Sequence, residues 1–282
     1  MGVVIKKPSA NYQSREEAVY KIAILNLMPN KQDTEKQLVE MLQYEGRNIE
    51  IYFLKLDTYN SQNTSKKYLE ENYYGLEQLR NISIDGIIIT GAPVEKLAFE
   101  EVIYWKELKV MFDYMKQNIK TAIFICWGAQ AALYHYYYID KNLESNKIFG
   151  LYKHHISYRK CLLLKGLEEG FWAPHSRCTN IDLGSIGRCG YLDLISFSEE
   201  AGPYIIKDKK DYFFILGHGE YAKDTLKEEY FRDIEKGLKI DIPKNYFLED
   251  NPLGEVKYNW KDDAKTMYEN WLKYYVFKDK EE

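Results

Sequence analysis

The first half of the chain carries short apolar runs at residues 21–27 (KIAILNL), 49–56 (IEIYFLKL), 86–90 (GIIIT) and 121–126 (TAIFIC). Runs this short, rich in β-branched residues and lacking strict alternation, predict strands buried on both faces. Between the first two, residues 34–44 (TEKQLVEMLQY) place Leu38, Met41 and Leu42 at helical spacing, and residues 104–115 do the same ahead of the fourth run. Strand and helix in alternation predict an α/β fold with a mostly parallel central sheet flanked by helices. The second half is more polar. Residues 192–197 (LDLISF) predict one strand, and 203–207 (PYIIK) with 212–216 (YFFIL), joined by charged residues, predict an antiparallel hairpin at the edge of a mixed sheet. Residues 223–237 and 263–276 read as amphipathic helices around an irregular stretch holding Pro243 and Pro252. No repeat, low-complexity tract or linker divides the chain, so 1–282 is expected to be a single domain, with 1–20 an N-terminal extension and 223–282 a helical part packed on the core.

Composition narrows the class. Hydrophobic residues make up 45% of the 282 and charged residues 29%, which excludes disordered and fibrous chains. A formal charge of −4 supplies no strong positive field for nucleic acid or an anionic membrane. No run reaches the ~18 apolar residues of a membrane span, and the start MGVVIKKP has no secretory pattern, so a cytoplasmic protein is expected. Four cysteines without a C-x-x-C pair are expected as reduced thiols and give neither a disulfide framework nor a zinc pattern. The 26 tyrosines are read as packing residues with a polar tip.

The run TAIFIC ends in Cys126 and passes straight into WGAQAALYHYY, a helix-forming segment. A sharp strand-to-helix turn exposes a nucleophile above the sheet edge, and the helix start adds free N–H groups and a positive dipole end. Locally a buried structural cysteine fits equally well. The second signal is Gly217-His218-Gly219-Glu220 directly after YFFIL. If this segment stays extended, residues two apart project to one side, so Glu220 would orient the His218 ring while the ring faces Cys126. Backbone N–H groups of Gly91 and Ala92, after GIIIT, are expected to form an oxyanion hole with that of Trp127. His135 reads as a packing residue, and His154 with His155 as neighbours pointing apart; no metal site is expected. His175, in APHSR (173–177), reads as part of a polar loop. No Walker or dinucleotide-binding glycine pattern is present.

Seven collinear segments, LNLMPNKQDTE (25–35), TGAPVEKLAFEEVIYW (90–105), CWGAQAAL (126–133), APHSR (173–177), GHGEY (217–221), EEYFRD (228–233) and NWLKYYVF (270–277), resemble the homoserine O-acyltransferases related to homoserine trans-succinylase. The resemblance implies a class I glutamine amidotransferase-like (flavodoxin-like) fold and ping-pong acyl transfer in methionine biosynthesis. Cys126 would be the acylated nucleophile, His218 the base and Glu220 its partner. Lys147, Ser176 and Arg232 match substrate-binding positions. Glu95 matches an acyl-selecting position, where glutamate accompanies acetyl-CoA and glycine succinyl-CoA; its charge would repel a succinyl carboxylate. The family also implies a homodimer, with acetyl-CoA as co-substrate and no resident cofactor.

Several features depart from the family pattern. The segment before the first strand is short, Gly219 stands where proline is usual, and Trp260-Lys261-Asp262-Asp263 replaces a basic stretch. The expected activity is acetyl transfer to homoserine. Acetylation of serine, shorter by one methylene, hydrolysis of glutamine by the same triad, and a catalytically idle binding role are the alternatives.

Overall fold

The computed structural model describes residues 2–8, 19–59 and 63–278. The strands are β1 (Val3–Lys6), β2 (Val19–Leu25), β3 (Asn48–Leu54), β4 (Gly86–Ile89), β5 (Ala122–Ile125), β6 (Lys141–Ile156), β7 (Phe171–Ile181), β8 (Leu192–Ser198), β9 (Gly202–Asp208) and β10 (Tyr212–Ile215). The helices are α1 (Lys31–Met41), α2 (Lys66–Asn72), α3 (Leu76–Leu79), α4 (Trp105–Asn118), α5 (Trp127–Tyr137), α6 (Leu183–Arg188), α7 (Thr225–Glu235) and α8 (Lys261–Trp271).

All ten strands belong to one mixed sheet in the order β1-β3-β2-β4-β5-β10-β9-β8-β6-β7. Pairing is parallel from β1 across to β10 and antiparallel from β10 across to β7. In β4, β5 and β10 every residue is buried, which is why their sequences are unbroken apolar runs. β7 instead alternates along most of its length, with His175, Arg177 and Thr179 buried and Ser176, Cys178 and Asn180 partly exposed.

Two expectations change. The β9–β10 hairpin is not at an edge: β10 lies between β5 and β9, since a strand apolar on both faces needs a neighbour on each side. The 173–177 segment is strand rather than polar loop, with His175 paired opposite Gly150 and fully buried. Within the expected N-terminal extension, Val3–Lys6 forms the sheet's edge strand against β3.

The C-terminal helices pack on the core. In α8, Trp271 is fully buried and its indole N–H donates to Thr121 Oγ1 at 2.9 Å, tying the helix to the start of β5. Trp260, at the N-cap of α8, donates to the Tyr221 carbonyl at 3.2 Å. The departing Lys261 pairs with Glu40 of α1 at 2.8 Å, and Asp262 and Asp263 occupy the first turn of α8, where carboxylates suit the helix dipole.

Candidate active site

Cys126 sits between β5 and α5 with φ 51° and ψ −116°. A non-glycine residue at positive φ is strained, and here the strain turns the chain from strand into helix within one residue. Two contacts hold it. The Cys126 N–H donates to the Ile215 carbonyl at the end of β10 at 2.7 Å, and the first turn of α5 closes from Gln130 N–H to the Cys126 carbonyl at 3.2 Å. Gly128 is required for this approach, because a Cβ there would lie 2.6 Å from the Thr90 carbonyl oxygen.

Because β10 runs beside β5 in parallel register, with Ile215 opposite Ile125, the residues following both strands emerge at the same sheet edge. Open α/β sheets gather ligands at that edge. His218 lies there, 3% exposed, its Nδ1 2.7 Å from Glu220 Oε1. The contact arises differently from the sequence expectation: residues 217–220 leave the strand, and Tyr221 N–H bonds back to the His218 carbonyl at 3.2 Å, so a tight turn rather than extended alternation brings the carboxylate to the ring. Tyr221 stacks on the imidazole with centroids 4.2 Å apart. The His218 N–H donates to the Pro174 carbonyl of β7 at 2.8 Å, fixing the turn from the antiparallel side.

Burial opposes a charge on His218, but Glu220 and Cys126, which is in side-chain hydrogen-bond reach, together outweigh it and hold the pKa well above the ordinary imidazole value. With Nδ1 engaged by Glu220, Nε2 is the nitrogen left for the sulfur. Gly91 lies against both groups: a Cβ on it would be 3.3 Å from Cys126 Cβ and 3.6 Å from His218 Cε1. Ala92 follows it, and Trp127 opens α5, where first-turn N–H groups have no partner within the helix. Gly91 thus lies against Cys126 and His218, with Ala92 next to it in the chain and Trp127 directly after Cys126.

A second cluster forms where β6 and β7 face α7. Ser176 Oγ donates to Glu229 Oε2 at 2.6 Å, and Tyr221 donates its hydroxyl to Glu229 Oε1 at 2.9 Å. Lys147 Nζ is 3.4 Å from Asp233 Oδ2 and 3.8 Å from Glu229 Oε2, while Arg232 Nε donates to Asp233 Oδ1 at 2.8 Å. Burial works against the Asp233 charge, and Arg232 and Lys147 outweigh it, keeping its carboxyl below the usual range. The fold therefore brings Lys147, Ser176 and Arg232 together from three elements. Sequence reasoning missed Glu229, although its position one helical turn before Arg232 was a usable signal.

Glu95, in the loop after β4, reaches β7, where its Oε2 accepts from the Cys178 N–H at 2.8 Å and lies 3.3 Å from Thr179 Oγ1. Arg177 was also missed. Its guanidinium is fully buried and donates to the carbonyls of Leu216 at 3.0 Å, Thr179 at 3.3 Å and Ala201. Burial lowers its pKa to about 10, opposed by Cys126 and Glu95, so it remains a cation inside the site.

The remaining histidines separate by face. His154 is buried with Nε2 2.9 Å from His175 Nε2, while His155 meets Glu169 at the surface. His135 bonds Asp113 at 2.8 Å and packs on Phe112. Among the described residues no cluster of three or more His, Cys, Asp or Glu could hold a metal, and no helix is long and apolar enough to cross a membrane.

A family model described as homoserine O-succinyltransferase matches residues 2–281. The chain is 46% identical to homoserine O-acetyltransferase 1 of Ilyobacter polytropus, over 92% of this chain and 86% of that protein. It is 45% identical to a homoserine O-acetyltransferase of Acetivibrio thermocellus over 92% and 85%, and 42% identical to one of Bacillus cereus over 95% and 89%. Among solved structures, a glutamine amidotransferase from Thermotoga maritima aligns with TM-score 0.62 at 13% identity, covering 93% of this chain and 99% of that one. A glutamine amidotransferase from Methylobacillus flagellatus aligns with TM-score 0.56 at 11% identity over 90% and 94%. At such identities these likenesses show the fold alone, that of the class I glutamine amidotransferases.

Proposed function

The chain belongs to the homoserine O-succinyltransferase family of acyltransferases, and from that membership we propose that it is a homoserine O-acetyltransferase of methionine biosynthesis working through an acyl-Cys126 intermediate. The observation that carries the mechanism is the convergence of Cys126, His218 and Glu220 at one sheet edge.

Cys126 Sγ, paired with His218, attacks the thioester carbon of acetyl-CoA. The oxyanion is met by the backbone N–H groups of Trp127, Gly91 and Ala92, and the buried Arg177 cation adds favourable potential. Collapse expels coenzyme A, whose sulfur takes the proton from His218. The neutral imidazole then removes the proton of the homoserine hydroxyl as that oxygen attacks the acetyl carbon, and the sulfur leaves, restoring the Cys126–His218 pair. Glu220 keeps the ring oriented throughout. Ser176, Lys147 and Arg232 receive the amino acid, the two cations suiting its carboxylate and Glu229 its ammonium. Glu95 disfavours a succinyl donor by charge repulsion. The acting unit is read as one α/β domain that pairs as a homodimer; sedimentation would test the pairing.

Intact-protein mass after mixing with acetyl-CoA, succinyl-CoA or glutamine tests the reading. The expected result is an acetyl adduct on the wild type, absent from Cys126→Ala, that homoserine discharges faster than serine. Faster discharge by serine, a glutamyl adduct, or no adduct and no turnover would each overturn it.

A further inference from the structure

Glu95 is held by more than its own backbone. Its Oε2 is approached by two donors from consecutive residues of β7, the Cys178 N–H at 2.8 Å and the Thr179 hydroxyl at 3.3 Å. Thr179 is 2% exposed, and its hydroxyl also lies 2.9 Å from the Gln130 side-chain amide, on the first turn of α5. Gln130 is 1% exposed, and its Nε2 has no partner while Oε1 faces Thr179. Turning that amide by half a turn lets Nε2 donate to Thr179 Oγ1, which frees the single hydroxyl proton for the Glu95 carboxylate. The result is one directed chain, Gln130 to Thr179 to Glu95, starting on the helix that Cys126 opens.

We propose that Thr179, backed by Gln130, is a specificity-positioning residue that fixes the Glu95 carboxylate relative to Cys126 and so sets how strictly the enzyme rejects a donor with a charged acyl chain. This rests on the reading of Glu95 as the acyl selector. Like-charge repulsion falls with distance, so a carboxylate free to swing discriminates less than one clamped from two directions. The Cys178 N–H belongs to the backbone and serves any side chain; the Cys178 thiol, also in side-chain hydrogen-bond reach of Glu95, is a weak donor, so the Thr179 hydroxyl is the strong side-chain donor of the clamp. Arg177 and Lys141 lie within electrostatic reach of Glu95, so the carboxylate has two cations to drift toward when the clamp is lost.

The test is the rate of acyl-enzyme formation with acetyl-CoA and with succinyl-CoA, read by intact mass, for wild type, Glu95→Gly, Thr179→Val, Thr179→Ser and Gln130→Leu. Thr179→Val is close to isosteric and is expected to lower the acetyl-to-succinyl ratio by roughly three- to tenfold. Thr179→Ser should restore it, and Gln130→Leu, which leaves Thr179 present but unheld, should shift it the same way by less. If Glu95→Gly changes the ratio while Thr179→Val and Gln130→Leu keep the wild-type value, or slow both donors equally, the positioning role is overturned. If Glu95→Gly itself leaves the ratio unchanged, the selector reading fails instead. Should Thr179→Val not fold, Gln130→Leu against Thr179→Ser decides the matter.

Discussion

The two halves of the sheet are built on different rules. From β1 to β10 the strands are parallel and, at the centre, buried at every position; from β9 to β7 they are antiparallel, and β7 alternates along most of its length. The parallel half contributes the loops after its strands: Gly91 and Ala92 after β4, Cys126 after β5, His218 and Glu220 after β10. Its central strands β4, β5 and β10 are buried throughout and carry no charged side chain, so their chemistry is confined to their ends. The antiparallel half contributes side chains along its length: Lys147 on β6, and Ser176, Arg177 and Thr179 on β7. An alternating strand places a buried cation, Arg177, and a partly exposed hydroxyl, Ser176, one residue apart. On the proposed mechanism the first half performs bond making, and the second recognises what is joined.

Substitutions can break or sharpen this division. The largest effect is expected from Cys126→Ala, which should remove the acyl adduct and lower turnover roughly 10³-fold or more with little change in thermal melting. An adduct surviving in this variant would place the chemistry elsewhere. Glu220→Gln should lower kcat about 10²-fold or more, since His218 loses the partner that orients it, with a smaller change in the homoserine KM. Ser176→Ala, in the other half, should leave acyl-enzyme formation from acetyl-CoA intact and raise the homoserine KM about tenfold. A Ser176→Ala defect confined to the first half-reaction would erase the distinction between the halves.

The smallest effect concerns acid stability. Burial holds His154 at a pKa of about 3 and His175 well below the ordinary value, so both are neutral in the folded state and take up protons more readily when unfolded. Stability is therefore complete above about pH 6.5 and falls as pH drops toward the folded values, by up to about 1.4 kcal/mol per pH unit for each ring. Melting temperatures between pH 7 and pH 5 should fall less steeply in a His154→Gln/His175→Gln double variant. Parallel slopes would mean that the acid sensitivity lies elsewhere, in the parallel half for instance.

Legibility followed the same division. The strand runs at 21–27, 49–56, 86–90 and 121–126 fall within two residues of β2 to β5, because strands buried mostly on both faces are mostly apolar. The turn at Cys126 could be read because an apolar strand meets helix-forming sequence with no residue between. β6 escaped notice: its first half, KNLESNK, is polar and largely exposed, and nothing local distinguishes a solvated strand from a loop. APHSR was misread for the same reason, since a proline and three polar residues suggest a turn unless the partner strand is known.

The sequence by itself determined the α/β alternation and the position of the elbow, and offered Cys126, His218 and Glu220 as candidates, because each depends on residues close in the chain or on apolar runs. The tertiary structure alone decided that β10 lies beside β5, which brings His218 to Cys126 across 92 positions of sequence, and that β7 carries Arg177 and Thr179 inward. Strand order and facing are set by which buried surfaces fit together over the whole sheet, and no local pattern encodes that sum.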